Sequence, residues 1–75
     1  MKIILYRTLT CPKCHVLAQK LQKKNLVYEE CTDVESMRAM GIMEVPQLQV
    51  DGGALMNLRE ANAWINAQEA QNGQY

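Results

Sequence analysis

A chain of 75 residues has room for one domain with a small hydrophobic core and none for a second domain beside it. Hydrophobic residues make up 48% of the sequence, enough for a globular protein, while 8 basic against 8 acidic residues leave no net charge. A neutral chain has no overall field to draw in nucleic acid or anionic lipid, so neither is expected as a partner and recognition must be local.

The opening stretch, MKIILYRTLT, has an apolar run too short for a signal-peptide core or a membrane span, which predicts a cytoplasmic location. Within it Ile3, Ile4 and Leu5 stand in succession. This predicts a short strand over Lys2 to Tyr6 that is buried on both faces and therefore central. Thr8 to Thr10 reads as a loop, and Pro12 suits the first turn of a helix because the N–H it lacks has no partner there anyway.

That helix starts at the cysteines. Cys14, Leu17, Ala18 and Leu21 recur at helical spacing and form the expected buried stripe, with Gln19, Lys20 and Lys23 facing water. Lys23 and Lys24 suit a helix C-terminus, and Asn25 tolerates a left-handed cap. Leu26 to Cys31 is expected to form a second strand, strongest at Val27 and Tyr28. Strand, helix and strand in this order predict a right-handed parallel crossover.

Asp33 is placed to cap a short helix carrying Met37 and Met40 on one side and ending at Gly41. Gln47 to Val50 alternates polar and apolar residues, and Asp51-Gly52 signals a hairpin into a further strand over Ala54 to Met56. Asn57 followed three residues later by Glu60 matches a capping box. Leu58, Ala61 and Ile65 then give the buried stripe of a final helix, flanked by Trp64. Residues 71–75 are polar and are expected to fray.

The chemistry lies in Cys11-Pro12-Lys13-Cys14. Thiol–disulfide exchange needs a thiolate and a second thiol near enough to resolve the mixed disulfide, and C-x-x-C across a helix start supplies both. Cys11 is the expected nucleophile: unpaired helix N–H groups and the Lys13 cation favour its thiolate, lowering its pKa to about 4–7, while Cys14 lies on the packed stripe. Pro12 stiffens the turn and shifts the redox balance in a direction the sequence leaves open.

Two rival readings use the same residues. A zinc site needs four ligands, and only His15 and Cys31 remain, His15 at an awkward angle beside Cys14. Cys11 to His15 also satisfies C-x-x-C-H, the attachment pattern of a c-type haem, but the motif follows a buried-type strand and no export signal. No metal and no bound cofactor are therefore expected, and His15 reads as a surface residue. Cys31, the odd cysteine, is expected to pack without pairing.

The sequence resembles the glutaredoxins and the related small glutaredoxin-like electron donors of ribonucleotide reductase over nearly its whole length. The likeness rests on Tyr6 to Cys14, on Glu44-Val45-Pro46-Gln47 and on Asp51-Gly52. It implies a thioredoxin-like α/β fold, a four-stranded mixed sheet flanked by three helices, in a single domain over residues 1–75. It further implies a dithiol disulfide reductase with a cis Val45-Pro46 bond beside the nucleophile, where Val45 docks a disulfide-bearing protein, ribonucleotide reductase being one such partner. Arg7 matches a basic residue that pairs with a glutathione carboxylate, and Gln47 lies next to the cis proline. Pro12, Lys13 and Asn57 complete the implied substrate contacts.

Glutathione-binding members carry Gly-Gly where this chain has Met56-Asn57. Met56 is expected to crowd the tripeptide, so glutathione is a possible reducing co-substrate that binds weakly, and a thioredoxin-reductase-like flavoenzyme is the other candidate reductant. The reading outside enzymes is a redox-sensing or metal-binding module on the same fold.

Overall fold

A computed structural model describes residues 1–69. In chain order its elements are β1 (Ile3–Tyr6), α1 (Pro12–Lys23), β2 (Glu29–Cys31), α2 (Val34–Ala39), β3 (Gln47–Val50) and α3 (Leu58–Ala67). The strands form a mixed sheet of order β2-β1-β3, so β1 is central, as its unbroken apolar run predicts. β1 runs parallel to β2, with Leu5 opposite Glu30, and antiparallel to β3, with Leu5 opposite Leu48.

Successive side chains of a strand point to opposite faces, and β1 uses both. Ile3 and Leu5 join Leu17, Leu21, Leu48 and Ile65 in the larger core, which packs α1 and α3 on one face of the sheet. Tyr6 and, less completely, Ile4 pack with Met37 and Ile42 in a smaller cluster beneath α2 on the other. The predicted α1 stripe of Cys14, Leu17, Ala18 and Leu21 is buried throughout. Leu17 and Leu21 are fully inaccessible, so truncating either to alanine removes roughly 2–5 kcal/mol of packing.

Turn chemistry follows the sequence. Asn25 takes the left-handed conformation (φ 54°) just past the α1 cap, and Gly41 (φ 82°) ends α2. Asp51 and Gly52 both have positive φ and Gly53 N–H donates to the Val50 carbonyl (2.9 Å), the signature of a type I′ hairpin turn.

Three expectations are corrected. The second strand starts at Glu29, not Leu26, and Val27 is 86% exposed: Leu26 turns into the core after Asn25, and β2 is an edge strand with no further strand beside it among the described residues. Met40 does not share the buried side of α2 with Met37 but caps the helix, largely exposed. The fourth strand over Ala54 to Met56 is also not seen among the described residues. The return arm of the hairpin touches β3 only through the paired bonds of Leu48 and Met56 (2.9 and 2.8 Å) before Asn57 caps α3. The expected fraying of 71–75 lies outside the described residues.

Candidate active site

Cys11 is the residue just before α1, and its sulfur serves as the helix cap: Cys14 N–H donates to Cys11 Sγ at 3.2 Å. Its backbone is extended (φ −98°, ψ 107°), and Pro12 begins the helix at the position where a missing N–H costs nothing. The two sulfurs are paired, with 5.2 Å between the Cα atoms. Cys14 is wholly buried on the α1 stripe, whereas Cys11 is partly accessible. An incoming thiol or disulfide therefore meets Cys11 first. No acidic residue occupies the first turn of α1, and Lys13 brings a cation there, so the surroundings favour negative charge on Cys11 once it is reduced.

Two cavities flank the segment ahead of β3. One, of about 280 Å³, is lined by Lys13, Glu44, Val45, Pro46, Asn57 and Arg59 among others, so it brings the first turn of α1 together with the first turn of α3. The Val45-Pro46 bond at its edge is cis, as the family likeness implies, and Pro46 is buried. The other, of about 320 Å³, is more apolar and is walled by Val34, Met37, Ile42 and Met43, with Thr8 and Val45 at its rim. Val45 belongs to both.

Of the residues singled out from sequence, Lys13, Val45, Pro46 and Asn57 thus meet at one place, beside the dithiol helix. Pro12 is exposed within the same first turn. Gln47 is half-buried as the first residue of β3, opposite Tyr6, and lines neither cavity. Arg7 lines neither as well: its guanidinium pairs with Glu30 (Nη1 to Oε2, 3.2 Å) and Nε donates to the Thr8 carbonyl (3.2 Å). Its side chain is only 12% exposed. Asn57 makes the complete capping box, with Glu60 N–H donating to Asn57 Oδ1 (2.8 Å) and Asn57 N–H to Glu60 Oε1 (3.1 Å).

Cys31 is a free thiol, half-buried at the end of β2 against the Tyr6, Met37 and Ile42 cluster. Burial, and then the proximity of Cys31, push the Tyr6 phenol above its usual value of 10.0, and its hydroxyl donates to Gln49 Oε1 (3.0 Å). His15 is exposed and exchanges a hydrogen bond with Gln19, one turn along. Among the described residues no three His, Cys, Asp or Glu side chains converge as metal ligands, and no helix is long and apolar enough to cross a membrane.

Sequence reasoning missed Arg59 and the apolar wall of Val34 and Met43, and gave Glu44 no role beyond the family likeness. Arg59 left a readable trace, since it is a cation in the first turn of a helix, the end at which cations are disfavoured. Val34 and Met43 left none, because a single exposed apolar residue is ordinary. Compared with known proteins, the chain matches no family model, no curated protein and no solved structure.

Proposed function

We propose that the protein is a dithiol–disulfide oxidoreductase, a glutaredoxin-like variant of the thioredoxin fold. The observation that carries this reading is the placement of the two sulfurs: Cys11 Sγ at the mouth of α1, accepting the Cys14 N–H at 3.2 Å, and Cys14 sealed behind it.

In the reduced protein the Cys11 thiolate attacks one sulfur of a substrate disulfide and expels the other as a thiolate. The mixed disulfide so formed joins Cys11 to the substrate. Cys14 attacks Cys11 Sγ as its proton passes to the departing sulfur, releasing the second substrate thiol and closing the Cys11–Cys14 disulfide. Two electrons pass from the dithiol to the substrate, and an external reductant returns them. Val45, at the junction of the two cavities, offers its backbone to an extended substrate strand. Disulfide-bearing proteins, ribonucleotide reductase among them by family likeness, are the substrates this suits.

The reductant is either glutathione, oxidised to its disulfide, or a flavoenzyme of the thioredoxin-reductase kind. By the family likeness Met56 stands where a close backbone approach would require a small residue, although its half-buried side chain packs against the larger core and lines neither cavity. Met56→Gly tests the crowding: a severalfold rise in the rate of reduction by glutathione, measured by stopped flow on the oxidised protein, would support it, and the packing of Met56 against the core predicts an unchanged rate.

Reduction of a generic aromatic disulfide, with dithiothreitol as the regenerating dithiol, tests the reading itself. Turnover above the dithiothreitol background that vanishes in Cys11→Ser is the expected result. No acceleration by the unmodified protein would leave the pair as a sensor or a structural bridge.

A further inference from the structure

We propose that Arg59, acting with Lys13, selects disulfide-bearing protein segments that carry an acidic side chain beside the reactive cysteine. This assignment rests on the oxidoreductase reading and names the chemistry of the partner.

Both cations line the cavity that joins the dithiol helix to Pro46, against one carboxylate there, that of Glu44. Both are exposed. Neither is ion-paired among the described residues, whereas Lys2 and Arg7 are, with Glu29 and Glu30. Arg59 is moreover the second residue of α3, next to the positive end of the helix dipole, where an acid stabilises and a cation destabilises. A cation kept at an unfavourable position, without an ion-pair partner among the described residues and sharing a cavity with Lys13 of the dithiol helix, is explained by what it binds.

The occupant is a protein segment and not glutathione. The tripeptide brings two carboxylates, and one of the cations that would hold them is already taken by the chain's own acid. Glu30 holds Arg7 at 3.2 Å, leaving the guanidinium that the family likeness would offer to a glutathione carboxylate already paired. One acidic side chain on a strand lying along Val45 needs only the Lys13–Arg59 pair.

The test uses matched peptides, each holding one cysteine as a mixed disulfide with mercaptoethanol, flanked either by Asp and Glu or by Asn and Gln. The quantity read is the ratio of acidic to neutral second-order rate constants with the reduced protein. The unmodified protein is expected to prefer the acidic peptide about three- to tenfold at low salt, with the ratio falling toward unity as salt is added. Arg59→Gln is expected to lower the ratio and Arg59→Glu to invert it. Both variants should keep the fold, since the Arg59 side chain makes no hydrogen bond or ion pair among the described residues, and Arg59→Glu should melt higher than the parent.

A ratio of one in the unmodified protein, or a ratio unmoved in both variants, overturns the assignment. Oxidised glutathione reacting faster than the acidic peptide, and losing most in Arg59→Glu, would give the cavity to the tripeptide instead. Binding of the same peptides with serine for cysteine separates the two proposals. A charge preference in binding without any reduction refutes the oxidoreductase reading and leaves Arg59 as the selector, while equal binding refutes the selector.

Discussion

The starts of α1 and α3 face each other across one cavity, yet they meet the same physical demand in opposite ways. Every helix begins with N–H groups that lack a partner. At α3 Asn57 and Glu60 exchange bonds in a capping box that satisfies the N–H groups of both, and the acid of Glu60 shares the first turn with the cation of Arg59. At α1 the cap is a sulfur, the first turn holds no acid, and Lys13 adds positive charge. A sulfur accepts hydrogen bonds poorly when neutral and well as a thiolate, so the α1 start is completed only when Cys11 is ionised. On the proposed function, the α3 start serves stability and the α1 start serves reactivity.

The largest effects should come from exchanging the cap atom at α1. Cys11→Ser puts a strong capping hydroxyl where the sulfur stood, so the helix start should be retained while disulfide reduction is lost entirely. Cys14→Ser should still form a mixed disulfide with substrate and accumulate it, as mass spectrometry of the trapped adduct would show. A Cys11→Ser protein that still turns over would break the contrast between the two helices.

A smaller effect is expected at α3. Asn57→Ala should cost about 1 kcal/mol, a drop of roughly 4–8 °C in Tm for a domain of this size, with no change in the titration of Cys11. Should the thiol titration move as well, the two helix starts would be coupled rather than independent.

The start of α2 supplies the mildest test. Asp33 accepts from Ser36 Oγ at 2.7 Å and from Glu35 N–H at 3.1 Å, and these bonds, those to Ser36 foremost, hold its carboxyl below the usual 3.8. With the folded-state value depressed, its contribution is complete above the unfolded value of 3.8 and is lost as pH falls from there through the lower folded-state value. Asp33→Asn, which keeps a cap but cannot titrate, should flatten the acid limb of the stability curve slightly. The residue is fully exposed, so the change should be small.

Much of this was legible in the sequence because it depends on local rules. The α1 stripe, the left-handed Asn25, the Asp51-Gly52 turn and the Asn57–Glu60 box each need only a few neighbouring residues to specify them. What was misread depends on tertiary neighbours. Val27 has the β-branched shape of a strand residue, but β2 lies at the sheet edge and pairs with β1 only from Glu29. The arm after Asp51-Gly52 has the hairpin signal but turns away toward α3 after a single bridge.

The site shows the same division. The cysteines and Lys13 could be read directly, since sequence spacing places them on one turn. That Arg7 is taken up by Glu30 could not, because the pair is 23 residues apart and forms only when β1 and β2 align. Arg59 was readable in principle, as a cation at the wrong end of a helix.

The account stands or falls on where the thiolate forms, and absorbance titration of single-cysteine proteins measures that directly. In Cys14→Ser with Cys31→Ser, Cys11 should ionise well below a free thiol, with a midpoint of about 4–7 against about 8.5. In Cys11→Ser with Cys31→Ser, burial should keep Cys14 at or above the free-thiol value. A Cys11 midpoint equal to or higher than that of Cys14 would contradict the account, for the α1 start would then be an ordinary cap that happens to contain sulfur.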